Sequence, residues 1–172
     1  MFEIRPVRPD EADAWMAMRL EALTAHPMAF GDSYEEASAR PLADLEARLA
    51  QAGPGVTLGV YVEGALQGTA VFSVEAPLKM RHKGLLGAVY LRPVLRGSGA
   101  ADALVAAIIA HARQHVDLLK AVVNPSNDVA RKLYFRHGFR TYGVEPRSLR
   151  YGGVDNDDEL IVLELAPKAA KT

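Results

Sequence analysis

The residues whose types and spacing suit chemistry fall in two short segments. In the first, Arg96-Gly97-Ser98-Gly99-Ala100-Ala101 follows an apolar run ending at Leu91 and precedes a long apolar-striped stretch. A strand that enters a glycine-bearing turn and leaves as a helix points several free backbone N–H groups out of one helix end, and the helix dipole there favours negative charge. Gly97 and Gly99 allow close backbone approach, Ala100 and Ala101 are too small to cover the donors, and Arg96, with Arg92 nearby, adds positive charge. The chemistry this suits is anion binding. A nucleotide-hydrolysing loop would need Lys-Ser or Lys-Thr after the second glycine, and a dinucleotide fingerprint would need glycine at Asp102 in a parallel unit near the chain start. Neither is present. The same glycines would also serve a turn that merely starts a helix, and this segment leaves both readings open.

The second segment runs from Val122 to Phe139. Asn127, Ala130 and Tyr134 share one face of the helix expected there, with the small alanine leaving room beside the phenol. Alone, Asn127 reads as a helix cap and Tyr134 as a packing residue. Their combination with the first segment is what singles them out.

With both segments in view, the chain resembles the GCN5-related N-acetyltransferase (GNAT) family. The family's Arg/Gln-x-x-Gly-x-Gly/Ala loop is matched by Arg96 to Ala101, and its later Asn-x-x-Ala-x-x-x-Tyr-x-x-x-Gly-Phe segment by Asn127, Ala130, Tyr134, Gly138 and Phe139. The resemblance implies acetyl-coenzyme A as cosubstrate and no metal. The cosubstrate would lie in a splay between the fourth and fifth strands, its pantetheine arm on the backbone of Val89, Tyr90 and Leu91. Its diphosphate would lie on Arg96, Gly97, Ser98, Gly99, Ala100 and Ala101, with Asn127 and Tyr134 completing the site and Arg131 and Lys132 as candidates for the 3′-phosphate. The expected activity is N-acetyl transfer to a primary amine, on a small molecule or a protein, by direct attack through a tetrahedral intermediate. A backbone N–H near Tyr90 or Leu91 would meet the oxyanion. Tyr134 would return a proton to the departing thiolate, a step a phenol near ~10 can make toward a thiol near ~8.5. The chain contains no cysteine, which excludes an acyl-cysteine intermediate. Two alternatives stand beside this: a noncatalytic acetyl-coenzyme A-binding regulatory module, and an acyltransferase using another acyl chain or a hydroxyl acceptor.

The general base is less well marked. Glu75 and His82 flank the fourth strand, and a water chain is the third option. The strand 85–91 holds no carboxylate, where some members of the family carry a glutamate. The acidic and aromatic run Phe30 to Glu36 suits an ammonium group, and Asp155 to Glu159 forms a second acidic run. The segment Arg19 to Gly31 looks like a subgroup of small bacterial-type acetyltransferases.

These residues need a scaffold. At 172 residues, with 49% apolar and 24% charged side chains, the chain reads as one globular domain, residues 1–166, with a flexible tail from 167 to 172. A formal charge of −1 argues against a nucleic-acid binder, and no apolar run approaches the ~20 residues of a membrane helix. A cytoplasmic location is the default, and apolar strand edges allow a homodimer. A strand is expected at 2–7, kept to an edge by Pro6 and Pro9, then a helix at 11–25 capped by Asp10 and a helical stretch at 33–50 broken by Pro41. A hairpin of strands 56–62 and 66–74 follows, then strand 85–91, helix 99–115, strand 116–123 and helix 126–137 ending at Gly138. The last strands, 139–144 and 160–165, are expected to flank a long turn holding Gly152-Gly153 and Asn156-Asp157. The fold class is α/β (α+β): a mixed, mostly antiparallel sheet flanked by helices.

Overall fold

Capping residues and prolines divide the first fifty residues into three helices. In the computed structural model, which describes residues 1–165, strand β1 (Glu3–Pro6) leads through a single turn at Pro9–Glu11 into α1 (Ala12–Ala25). Glu11, rather than Asp10, stands at the start of α1. Its carboxylate is held by Arg5 at 2.8 and 2.9 Å and by the Arg8 N–H at 2.9 Å, a stronger set of partners than a lone Asp10 cap. Pro27 interrupts the chain after α1. Ser33 then starts α2 (Tyr34–Ala39) by accepting the Glu36 N–H, while the Glu36 carboxylate returns to the Ser33 N–H. Pro41 separates α2 from α3 (Leu42–Ala50).

The remaining elements are β2 (Val56–Val62), β3 (Ala65–Val74), β4 (Lys83–Leu91), α4 (Ala100–Ala112), β5 (Leu118–Val123), α5 (Asp128–Arg136), β6 (Arg140–Tyr151) and β7 (Val154–Glu164). They form one seven-stranded sheet in the order β1-β2-β3-β4-β5-β7-β6, so proline-bearing β1 does lie at an edge. Every pairing is antiparallel except β4 with β5. The molecule is a single domain with helices on both sheet faces. On the α4 and α5 face, Leu104 and Ile108 of α4 pack with Phe72, Leu119 and Ile161 of the sheet. On the α1 and α3 face, Trp15, Met18 and Leu45 of the helices pack with Tyr61 and Tyr90 of the sheet. Trp15 Nε1 donates to Thr69 Oγ1 at 2.8 Å, and that hydroxyl donates to the Leu58 carbonyl at 3.1 Å, tying α1 to the sheet.

The last hairpin corrects the sequence reading. In place of a long turn, β6 and β7 run to a two-residue turn at Gly152 and Gly153, whose φ values of 56° and 77° are those of a tight hairpin turn. The intervening residues are polar, which hid the strands, yet their groups are paired across the ladder. Ser148 donates to Asp158, Arg150 to Asp155, and the Arg147 N–H to Asp157. Pro146 is accommodated at a register shift on the edge strand. The tail expected at 167–172 lies outside the described residues.

Candidate active site

The parallel pair β4–β5 is short. It registers Lys83 with Leu118, Gly84 with Leu119 and Leu85 with Lys120, and then the strands part. Beyond Leu85 the edge of β4 that faced β5 has no strand beside it. The Arg92 N–H donates to the Gln67 carbonyl on the β3 side, so strand alternation turns the Leu91 N–H away from β3 and into the opening. The opening is thus a splay between β4 and β5, lined on β4 by a backbone donor with no acceptor among the described residues.

An irregularity sits at its throat. Thr69 pairs with Tyr90 but Val71 pairs with Gly87, so Ala88 and Val89 together oppose Ala70 alone. Ala88 has φ 51°, uncommon for a residue with a side chain. This bulge resets the alternation: Leu86 packs with the α4 layer, whereas Ala88 and Tyr90 pack with the α1 layer. Val89 and Leu91 return to the α4 side, and Tyr90 is only 9% exposed with its ring turned toward α1.

Beyond β4, one turn at Pro93–Leu95 and two left-handed glycines, Gly97 (φ 71°) and Gly99 (φ 80°), deliver the chain into α4. A Cβ at either glycine would meet nothing within 4 Å, so conformation, not crowding, demands glycine there. The Ser98 hydroxyl donates to the Leu95 carbonyl at 2.7 Å and receives the Ala100 N–H at 3.2 Å, closing the loop on itself. The N–H groups of Gly97, Gly99, Ala101 and Asp102 find no acceptor among the described residues. Arg96 is exposed and forms no ion pair among the described residues, whereas Arg92 is bound to Glu21 at 2.8 Å and is not available to the loop.

Tyr134 lies in the buried layer that also holds Val89 and Leu91 from one lip of the splay and Val123 from the other. Its ring meets Phe139 edge-on at 5.5 Å. The hydroxyl has no hydrogen-bond partner among the described residues, and the residue is 6% exposed. Burial pushes the phenol up to about 12. Asn127 caps α5, its side chain accepting the Ala130 N–H at 3.1 Å. Arg131 is committed to Glu159 at 2.7 Å, while Lys132 is exposed and without an ion pair among the described residues. Of the two 3′-phosphate candidates, only Lys132 is uncommitted.

On the opposite face, Tyr90 donates to Glu21 at 2.8 Å and Arg92 Nε donates to the same carboxylate at 2.9 Å. Arg92 holds the Glu21 carboxyl below the usual carboxylate range, which makes it a poor proton acceptor. No local spacing signals this cluster, because Tyr90 and Arg92 lie 69 and 71 residues from Glu21. The two candidate bases lie at the closed end of the splay. Glu75 is bound to Lys120 at 3.0 Å, and the His82 carbonyl receives the Asp117 and Leu118 N–H groups. Both sit beside Lys83, roughly 16 Å along the strand from Ala88 at ~3.3 Å per residue. The acidic run 30–36 has two committed carboxylates: Asp32 binds Arg19 and Arg40, each at 3.1 Å, and Glu36 serves the Ser33 cap. Its residues nevertheless face Leu149, Arg150 and Tyr151 of β6 across a cavity of about 520 Å³, so the early helices and the last hairpin do meet. No group of three or more His, Asp or Glu among the described residues could hold a metal. No helix among them is long and apolar enough to cross a membrane.

Solved structures share this fold. An acetyltransferase of the GNAT family from Streptococcus pneumoniae superposes with a TM-score of 0.85 at 20% identity, over 96% of this chain and 100% of that one. The protein yncA from Salmonella typhimurium, solved with its cofactor acetyl-CoA, gives 0.84 at 23%, over 100% and 98%. A ribosomal-protein-alanine N-acetyltransferase from Brucella melitensis gives 0.81 at 24%, over 95% and 99%. No curated protein sequence matches the chain. The model of the acetyltransferase (GNAT) family matches residues 15–139, which include both lips of the splay, the glycine loop, α4 and α5, and the chain belongs to that family.

Proposed function

We propose that the chain transfers the acetyl group of acetyl-coenzyme A to a primary amine. The observation that carries this reading is the continuity of unpaired donors. The Leu91 N–H in the splay leads directly to the N–H groups of Gly97, Gly99, Ala101 and Asp102 at the start of α4. An extended arm bearing amides and ending in a diphosphate matches that run. The arm would pair with β4 at Val89, Tyr90 and Leu91 as an added strand does, and the diphosphate would take the loop from Arg96 to Ala101, with Arg96 as counter-charge. Asn127 acts by fixing the start of the helix that carries Tyr134.

The activated acyl group is what the cosubstrate supplies. The chain's own residues orient it, exclude water and handle protons. The amine nitrogen attacks the thioester carbon, the C–N bond forms and the C–S bond breaks. Tyr134, holding its proton at neutral pH, hydrogen-bonds the leaving sulfur, and the proton released by nitrogen passes to water, from which the thiolate takes one back. The acceptor enters from the α1–α3 face, where Gly87 and Ala88 open onto a cavity. Of the three base options, solvent-mediated deprotonation fits best, because Glu75 and His82 lie at the far end of β4 and Glu21 is clamped by Arg92.

The absence of a carboxylate on β4 favours a second reading, a noncatalytic acetyl-coenzyme A-binding module. One experiment separates them: calorimetry with acetyl-coenzyme A, followed by thiol release and product mass with a panel of amines. Saturable binding with acetylated product supports the enzyme. Binding with no product from any acceptor supports the module, and no binding by folded protein refutes both.

A further inference from the structure

The charge of the acceptor can be read from the cavity over the β4 bulge. This cavity, about 450 Å³, has Leu85, Gly87 and Ala88 as part of its floor, and Leu85 is 37% exposed although it belongs to a central strand. A space of that size suits a small molecule. Its walls carry three guanidinium groups: Arg19 from α1, Arg40 from the α2–α3 corner and Arg48 from α3. Two carboxylates line it. Asp32 is shared between Arg19 and Arg40, and Asp44 forms no ion pair among the described residues. Arg48 has no hydrogen bond or ion pair through its guanidinium among the described residues. What it meets is the Trp15 ring, 5.1 Å away. Burial, with Arg40 and Arg19 close by, holds the Arg48 guanidinium below its ordinary range, and the lining sets three guanidinium groups against two carboxylates. Asp32, one of the acidic residues of the run 30–36, thus works in the fold as a brace for Arg19 and Arg40 of this wall.

We propose that the acceptor is a small amine carrying a carboxylate, with the carboxylate held by Arg48 and the amine directed at Ala88, where β4 and β5 have parted. The guanidinium fork matches a carboxylate in two parallel hydrogen bonds, and the Trp15 ring lies beside the fork. The same wall also bears on the proton problem. Cations near a bound ammonium favour its neutral form, so the site eases loss of the proton without a carboxylate base on β4. The overall change balances: amine and thioester give amide and free thiol, the proton lost by nitrogen passing through water to sulfur while Tyr134 hydrogen-bonds the sulfur as charge gathers there.

This inference rests on the acetyl-transfer reading, and its test separates the two. Glycine, alanine, methionine and glutamate would each be compared with the corresponding carboxamide, reading thiol release in the wild type, Arg48→Gln and Arg48→Lys. In parallel, the fluorescence of Trp15, the chain's single tryptophan, would be titrated with the same compounds. The expected result is a kcat/KM ratio of acid to amide of about 30 or more for at least one pair, falling to within about threefold in Arg48→Gln and intermediate in Arg48→Lys. Trp15 should respond saturably to the acid and not to the amide, and the response should vanish in Arg48→Gln. Amides acetylated as fast as acids would overturn the inference and leave acetyl transfer standing. If acetyl-coenzyme A binds but no amine is acetylated, acetyl transfer falls and the Trp15 titration decides. A carboxylate-specific response lost in Arg48→Gln keeps the anion site, and its absence removes it.

Discussion

Tyr134 keeps its proton well past the pH at which a thiol has lost its own. With the phenol pushed up to about 12, full transfer to a thiolate near ~8.5 is uphill by about 3.5 units, or roughly 5 kcal/mol. From composition alone, a phenol near ~10 appears well matched to this task, and burial in the α4 layer is what shifts it. Tyr134 therefore helps chiefly by hydrogen-bonding sulfur as charge gathers there, and its effect belongs at the low end for a general acid. Tyr134→Phe should lower kcat about 10- to 100-fold and leave the KM for acetyl-coenzyme A within about twofold. Steady-state kinetics with the best acceptor checks this, and an unchanged kcat would take Tyr134 out of the chemistry. Gly99 should behave in the opposite way. At φ 80°, Gly99→Val strains the loop that presents the diphosphate donors, so the KM for acetyl-coenzyme A should rise at least about tenfold, with the loss visible in calorimetry.

At the scale of elements, helix ends and glycine turns were legible because their signals are local. Ser33 with Glu36, Pro41, Gly97, Gly99 and Gly138 each act within a turn of their own position. The splay was reached only through the family resemblance, since nothing local says that β4 and β5 part after Leu85. The β6–β7 hairpin was missed because its outer half alternates polar with polar. The α1 attachment was also invisible, because Trp15 and Thr69 are 54 residues apart. That attachment can be tested. Thr69→Val keeps the shape but leaves the buried Trp15 N–H without an acceptor, which should cost about 2 kcal/mol, whereas Thr69→Ser should restore most of it. Urea unfolding followed by circular dichroism measures both, and equal midpoints for the wild type and the valine variant would show that the bond contributes nothing.

Across the whole molecule, ion pairs and buried phenols set the pH range in which these parts stay assembled. Glu11 is drawn down to about 2, first by the Arg5 hydrogen bonds, then by the Arg8 N–H and the Tyr61 hydroxyl at 2.9 Å. Arg92, Arg136 and Arg131 likewise lower Glu21, Asp102 and Glu159, and Arg40 and Arg19 lower Asp32. A carboxyl whose folded pKa is depressed contributes stability that is fully present above its unfolded value, about 4.5 for Glu11, and is lost as pH falls through about 2. Tyr61 and Tyr134 have the opposite dependence: both are raised to about 12, so their contribution holds below about 10 and is lost as pH rises through about 12. Urea midpoints should therefore form a plateau between about pH 5 and 10 and fall on both sides. Glu11→Gln should lower the plateau by about 2 kcal/mol and flatten the acid limb, so that the variant and the wild type converge near pH 2. Parallel curves for the two proteins across pH 2 to 7 would show that the Arg5–Glu11 pair does not set the acid limit.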